Sequence, residues 1–244
     1  MNVDASVIIP TLNDASTLAI TIAAIDRAMG AAGIATEVLI VDAGSTDGTL
    51  EAGAELADEF PLLHIRLLVQ SGSYAEIGTV IRLGAAYANG RFGIIVLPGG
   101  QDPVELIPRL ISELRGGADL VLVSRYEDGT TRGVTSRTYA IYQRMYRSAI
   151  RTLLRVDIPD STYGFRAFNR TFVNALGLSS RRFSVFPEIT FKVFLADGVI
   201  TRVPGGPHEP TIRQQSKFRL RNELVAYAGT LLRAAMHRAG WHWF

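Results

Sequence analysis

Glu37-Val-Leu-Ile-Val-Asp-Ala-Gly-Ser-Thr-Asp-Gly-Thr49 is the stretch that decides how this chain folds. Val38 to Val41 form an unbroken apolar run, as in a strand buried on both faces. Asp42 stands at the carboxyl end of that strand, and Gly44 and Gly48 bend the chain after it. Asp47 is then placed to cap a helix running through Leu50 to Asp58. A strand, a turn and a helix with a carboxylate at the strand end is the arrangement in which open α/β sheets bind ligands. Earlier in the chain, Val7-Ile-Ile-Pro-Thr-Leu-Asn-Asp14 repeats the plan, with Asn13 or Asp14 starting the next helix.

Working outward, the pattern predicts strands at 5–10, 37–42, 63–69, 92–97 and 119–123. Helices are expected at 14–29, 48–59, 73–89 and 104–115. Gly30 and Gly33 end the first helix, Gly90 takes the C′ position of the third, and Pro103 opens the fourth. This alternation predicts a mainly parallel sheet with helices on both faces. Beyond Tyr126 the pattern changes: a long helix at 137–154, a short strand near 165–168, a helix near 186–197, a strand at 199–203, a Pro/Gly-rich loop at 204–217 and a helix from Leu220. We therefore expect one domain over 1–217, with halves at 1–126 and 127–217, and an amphipathic helix over 218–244.

The 244 residues suffice for one sizeable core, and the absence of cysteine excludes disulfides and thiolate metal sites. A net charge of +2 does not by itself point to nucleic acid. The basic residues are almost all arginine (Lys192 and Lys217 are the only lysines) and crowd into the second half, where forked contacts with phosphate are their natural use. The start of the chain lacks a basic lead followed by an apolar run, and no long uninterrupted apolar stretch occurs. The expectation is a cytoplasmic protein that rests on the inner face of a membrane. His64, His208, His237 and His242 do not group, and neither a P-loop nor a Gly-x-Ser-x-Gly elbow is present.

The two strand–turn segments together resemble the nucleotide-sugar-dependent glycosyltransferases of the GT-A fold, whose strands end in Pro-x-x-Asn-Glu and Asp-Asp-Gly-Ser-x-Asp-x-Thr. Here Asp14 replaces the Glu and Ala43 replaces one Asp. The resemblance implies that Pro10, Thr11, Asn13 and Asp14 line a nucleoside pocket and that Asp42 and Gly44 contact base or ribose. Capping of the next helix is the plainer role for Asn13 and Asp14.

That family usually carries Asp-x-Asp at a strand end, holding a divalent cation against the donor diphosphate. The corresponding strand here runs into Leu97-Pro-Gly-Gly-Gln-Asp-Pro103, so the motif is absent and Asp102 is the one carboxylate left in a segment that looks shortened. Three readings stay open. Asp102, with help from another carboxylate, holds Mg or Mn and serves as a catalytic residue; Gly99 and Gly100 offer backbone N–H groups to a phosphate while Arg82 or another arginine replaces the metal charge; or donor binding has been lost.

In the second half, Ser124-Arg-Tyr126, Asp160-Ser-Thr-Tyr-Gly-Phe-Arg-Ala-Phe-Asn-Arg170, Phe186-Pro-Glu-Ile-Thr-Phe-Lys192, Gly198-Val-Ile-Thr-Arg-Val-Pro204 and Arg213-Gln-Gln-Ser-Lys217 follow in order. Together they resemble the polyprenyl-phosphate, dolichyl-phosphate mannose synthase-like branch of inverting transferases. The resemblance implies a lipid monophosphate acceptor, already ionised, that needs a cradle rather than a strong base. Arg125 and Arg137 would clamp that phosphate. Arg166, Arg213 and Lys217 would serve the donor diphosphate, and Asp160 would orient an arginine or a sugar hydroxyl. Glu188 reads equally as a site carboxylate or as a helix-start residue.

Two stretches are amphipathic. On 137–154, Arg144, Arg147, Arg151 and Arg155 form a basic stripe beside Tyr139, Tyr142, Tyr146 and Ile150. The tail sets Leu220, Leu224, Tyr227, Leu231 and Met236 on one side, with Arg219, Arg221, Arg233 and Arg238 elsewhere. Such helices suit an anionic bilayer interface, or packing on the domain or on a second copy of the chain. The leading expectation is a hexosyltransferase moving a sugar from a nucleotide-diphosphate sugar to a polyprenyl-phosphate-like acceptor. Its rivals are a protein, small-molecule or nucleic-acid-base acceptor, and a non-catalytic binding module.

Overall fold

The computed structural model describes residues 3–70, 76–100, 102–125, 137–158, 160–205, 220–241 and 244, with the backbone alone at 137–139 and 220. The strands are β1 (Ala5–Thr11), β2 (Thr36–Asp42), β3 (Ile65–Val69), β4 (Phe92–Ile95), β5 (Leu120–Ser124), β6 (Arg166–Asn169) and β7 (Ile200–Pro204). The helices are α1 (Ala15–Ala32), α2 (Thr49–Glu59), α3 (Ile77–Tyr87), α4 (Ile107–Arg115), α5 (Arg137–Leu154), α6 (Arg170–Ala175), α7 (Val185–Leu195) and α8 (Leu220–Arg238).

The seven strands form one sheet in the order β3-β2-β1-β4-β6-β5-β7. All pair in parallel except β6, which runs antiparallel between β4 and β5. β1 and β2 are buried at every residue because each lies between neighbours and under helices, which is why they read as continuous apolar runs. Leu18, Ile22 and Ile25 of α1, Leu56 of α2 and Ile107, Leu110 and Ile111 of α4 pack on one face. The other face is covered by α3, α5, α6, α7 and α8 through Val80, Ile150, Val173, Ile189 and Tyr227 among others.

The chain leaves β1 toward β2 and β3 and returns on the other side of β1 as β4. That reversal makes the carboxyl ends of β1 and β4 a switch point, where the loops part and leave a crevice. Since β6 is antiparallel, the 160–165 segment that leads into it arrives at the same sheet edge. One edge therefore gathers the loops after β1, β2, β4 and β5 and the loop before β6.

Some local expectations need correcting. Gly90 is not a helix cap: α3 ends at Tyr87 with Ala88 extended. A Cβ at Gly90 would lie 2.7 Å from the backbone of Ala5 and Ser6, so glycine is there to let the chain pass close to β1. Pro103 precedes a 3-10 turn over Val104–Leu106, and Pro108 is the proline in the first turn of α4. The short helix α6 was not anticipated; Asn169 caps it by accepting from the Phe172 N–H.

Tyr142 and Tyr146 of α5 turn inward. They stack with centroids 5.7 Å apart, and Tyr146 lies 5.8 Å from Tyr227 of α8. Tyr227 and Leu231 are buried, so the tail helix lays that side on α5 and α7. Packing on the domain therefore takes up Tyr146 and Ile150 of α5 and Tyr227 and Leu231 of α8, while Arg144, Arg151 and Leu224 stay exposed.

Candidate active site

The loops after β1 and β2 are stitched together. Asp42 is fully buried, and its Oδ2 accepts from the Gly44 N–H (2.9 Å) and the Ser45 N–H (2.8 Å). Its Oδ1 accepts from the hydroxyls of Thr11 (3.1 Å) and Ser45. A carboxylate receiving this many donors fixes the turn, and Gly44 meets its φ of 97° without a Cβ penalty. Asn13, also at positive φ (54°), bridges across: its N–H reaches the Ser45 hydroxyl, and its Oδ1 accepts from the Thr46 N–H, both at 2.8 Å. Asp14 is buried, and its Oδ2 accepts from the Leu12 N–H at 2.8 Å.

Asp47 does cap, from the residue before the N-cap. Its oxygens accept from the N–H groups of Thr49 in α2 and Ala15 in α1, both at 3.1 Å. Burial works to raise its pKa, but the Thr49 and Ala15 bonds prevail and lower it. Pro10 and Thr11 are buried at the end of β1, and exposed Asn13 and Thr46 form the rim beside them. Ser45 and Asp47 complete this rim, and buried Thr49 lies behind it. Ser45, Asp47 and Thr49 fall on the Ser-x-Asp-x-Thr part of the family motif, whereas Thr46 occupies one of its variable positions.

At the end of β4, Gly99 and Gly100 take positive φ values of 113° and 64°. The Gly99 N–H donates to Thr21 Oγ1 of α1 at 3.3 Å. Asp102 is 3% exposed. Its Oδ2 accepts from the Leu97 N–H at 2.7 Å, and its Oδ1 from the Tyr163 hydroxyl at 2.9 Å. Its loop is thus closed by its own carboxylate.

Tyr163 joins this loop to the second half of the molecule. The Arg125 guanidinium lies 4.4 Å from the Tyr163 ring centroid, a cation–π distance. Arg125 also donates from Nε to Asp160 Oδ2 (2.8 Å) and from Nη2 to Asp160 Oδ1 (3.0 Å), a fork-on-fork pair. Asp160 is sealed off from solvent, whereas the Arg125 side chain keeps 28% of its surface exposed. Gln143 of α5 donates to the Thr162 hydroxyl, which donates to Asp160. Burial first, then the Asp102 charge, pushes the Tyr163 phenol well above its ordinary pKa, so it acts as a hydrogen-bond donor. Tyr163 was missed in the sequence, although it lies between Asp160 and Arg166 in the strongest motif of the second half.

Arg166 is a correction. It is 0% exposed, and its guanidinium donates to the carbonyls of Ser161, Tyr163 and Phe186 and to the Thr190 hydroxyl. Burial lowers its pKa to about 9 against the opposing pull of Asp160, so it stays charged at neutral pH. It ties the 161–163 loop to α7 and has no face to offer a phosphate. Glu188 likewise resolves as structural. It accepts from the N–H groups of Ser179 and Ser180 and pairs with Lys192 at 3.2 Å, wholly inside the fold. Arg82 donates to the Leu178 carbonyl. Arg213 and Lys217 lie outside the described residues, as does the side chain of Arg137.

One sheet edge thus carries Pro10, Thr11, Asn13, Asp14, Asp42 and Gly44 on one side and Asp102, Tyr163, Arg125 and Asp160 on the other. Among the described residues, no three histidines or carboxylates group as they would to hold a metal ion.

The profile of Glycosyl transferase family 2 matches residues 6–177. A dolichol-phosphate mannosyltransferase of Pyrococcus furiosus is 27% identical over 226 residues, 90% of this chain and 60% of that protein. A polyprenol monophosphomannose synthase of Mycolicibacterium smegmatis is 35% identical over 191 residues, 71% of this chain and 64% of that one. The chain thus spans under two thirds of the length of both relatives. An undecaprenyl-phosphate mannosyltransferase of Micrococcus luteus is 28% identical across 81% of this chain and 80% of its own. Among solved structures, glucosyl-3-phosphoglycerate synthase of Mycobacterium tuberculosis, in complex with Mn2+, uridine diphosphate and phosphoglyceric acid, superposes with a TM-score of 0.69 at 18% identity. That match covers 97% of this chain and 78% of the other. The fold is the GT-A fold.

Proposed function

We propose, because the chain belongs to Glycosyl transferase family 2, that it moves a sugar from a nucleotide-diphosphate sugar to a polyprenyl-phosphate-like lipid at a membrane face. The observation that carries this reading is the Asp102–Tyr163–Arg125–Asp160 array, which brings the acceptor half to the strand-end edge where the β1 and β2 loops lie. The names of the Pyrococcus, Mycolicibacterium and Micrococcus relatives support a lipid-phosphate acceptor.

Each group has a defined task in this reading. The Asn13–Thr46 rim and the Asp42 turn receive the nucleoside. Arg125, its plane set by Asp160, faces the acceptor phosphate. An acceptor phosphate oxygen attacks the anomeric carbon from the side opposite the leaving group. A new carbon–oxygen bond forms as the bond to the diphosphate breaks, the configuration inverts, and the nucleoside diphosphate leaves. The attacking oxygen is already anionic, so no side chain has to take a proton. Asp160 orients, and does not act as a base.

We take 1–217 as the transferase unit, with Arg137, Arg213 and Lys217 as further phosphate contacts. No helix among the described residues is long and apolar enough to cross a membrane. Exposed Ile141 and Met145 on α5 and Val225 and Leu232 on α8, beside exposed Arg144, Arg151 and Arg221, support peripheral contact with an anionic bilayer. The phosphoglyceric acid in the solved neighbour favours, as a second reading, a small phosphorylated acceptor.

The test is transfer from a panel of labelled nucleotide sugars to polyprenyl monophosphate and to phosphoglyceric acid. Labelled lipid is the expected product. Label in phosphoglyceric acid alone selects the second reading. Absence of transfer together with absence of nucleotide binding would contradict both readings.

A further inference from the structure

The end of β4 is at odds with the cation that accompanies uridine diphosphate in the solved neighbour. Resting on the transferase reading, we propose that this chain holds its donor's diphosphate without a divalent cation.

The argument is one of donor atoms and charge. A hard divalent cation at a diphosphate takes about six oxygens, with one or two protein carboxylates anchoring it and phosphate and water completing the shell, so the anchor carboxylate must be open to it. The Leu97–Asp102 loop supplies one carboxylate, Asp102, which is 3% exposed and has both oxygens engaged, by the Leu97 N–H at 2.7 Å and the Tyr163 hydroxyl at 2.9 Å. A cation on Asp102 would have to displace the phenol or open the loop. It would also meet positive charge nearby, because the Arg125 guanidinium lies 4.4 Å from the centroid of that same phenol ring. No second carboxylate of the described residues stands by to offset it: Asp42 and Asp14 are turned onto the amides of their own loops, and Asp160 is taken by Arg125. A guanidinium fixed on Asp160 therefore lies against the phenol that holds Asp102. Arg125, with 28% of its side chain exposed, meets the diphosphate as well as the acceptor phosphate, the two anions that flank the anomeric carbon.

Two measurements on the full chain test this. In the first, Mn2+ alone is titrated in and the free ion is followed by electron paramagnetic resonance. The free-ion signal is expected to match that of buffer. Uptake of one equivalent that Asp102→Asn abolishes would overturn the proposal. In the second, uridine and guanosine diphosphates are titrated by calorimetry in EDTA and in Mn2+. The dissociation constant of the preferred nucleotide is expected to change less than about twofold between buffers, and about tenfold tightening in Mn2+, abolished by Asp102→Asn, would overturn it. Cation-dependent binding would leave the transferase reading standing. Binding of neither nucleotide in either buffer would sink that reading and this inference together.

Discussion

The two halves of the strand-end edge use their carboxylates in opposite ways. In the first half, Asp42, Asp14 and Asp47 accept from backbone amides and hydroxyls of their own and adjoining loops. In the second half, Asp160 is committed to a cation, Arg125, that stays partly exposed. The first arrangement makes a rigid, already satisfied rim suited to a neutral base and ribose. The second makes an oriented positive charge suited to an anion. A transferase joining a nucleotide to a phosphate needs one of each.

Removing Asp160 should break the contrast most severely. Asp160→Ala leaves a partly buried guanidinium without its fork, at a cost of about 3 kcal/mol in stability. Losing the oriented charge should lower transfer about a hundredfold. Chemical denaturation and initial rates measure the two effects. Asp42→Ala comes next. It strands the Gly44 and Ser45 amides and the Thr11 hydroxyl, which should cost about 2 kcal/mol and weaken nucleoside diphosphate binding in calorimetry. Equal binding by this variant would show that the turn does not shape the nucleoside rim.

Arg125→Lys keeps the charge and loses the fork. Rises of about tenfold in both the acceptor KM and the nucleoside diphosphate dissociation constant are expected, because Arg125 serves both anions. A rise in one alone would assign it to that anion only. A milder effect is expected from Val225→Asp combined with Leu232→Asp, both exposed on α8. Flotation with anionic vesicles should fall while the melting temperature holds, and unchanged flotation would remove that helix from the membrane contact.

The smallest effect concerns acid. Burial works to raise the pKa values of Glu37 and Glu188, but hydrogen bonds prevail and lower both: from Ser6 and Asn89 to the former, from Ser179 and Ser180 to the latter. A folded pKa below the unfolded one means these carboxylates stabilise the fold above the ordinary glutamate range. That stability should be lost as the pH falls through their lowered values, and Glu37→Gln should flatten this acid limb in thermal melts.

Much of the architecture was legible because strands buried on both faces must be continuously apolar, and α5 ends at Leu154 as its periodicity predicted. The parallel alternation could also be read, but not the antiparallel β6, since nothing local tells a short strand its direction. The candidate site was legible as residues and not as contacts. Asp42, Asp102, Arg125 and Asp160 were found because they follow strands or sit in motifs. Arg166 stood in the same motif as Asp160, yet only tertiary packing shows its guanidinium spent on internal carbonyls. Tyr163 was passed over because its link to Asp102 spans 61 residues. The side chains that α5 and α8 bury against each other were, for the same reason, indistinguishable from those they leave exposed.

The account stands on the meeting of a nucleotide and an anion at one edge. A crystal structure of the full chain soaked with its preferred nucleoside diphosphate tests this most directly. The account predicts the base against the Asn13–Thr46 rim and the diphosphate running past Gly99 toward Arg125. A nucleotide bound anywhere else on the sheet, or one whose phosphates point away from Arg125, would contradict it.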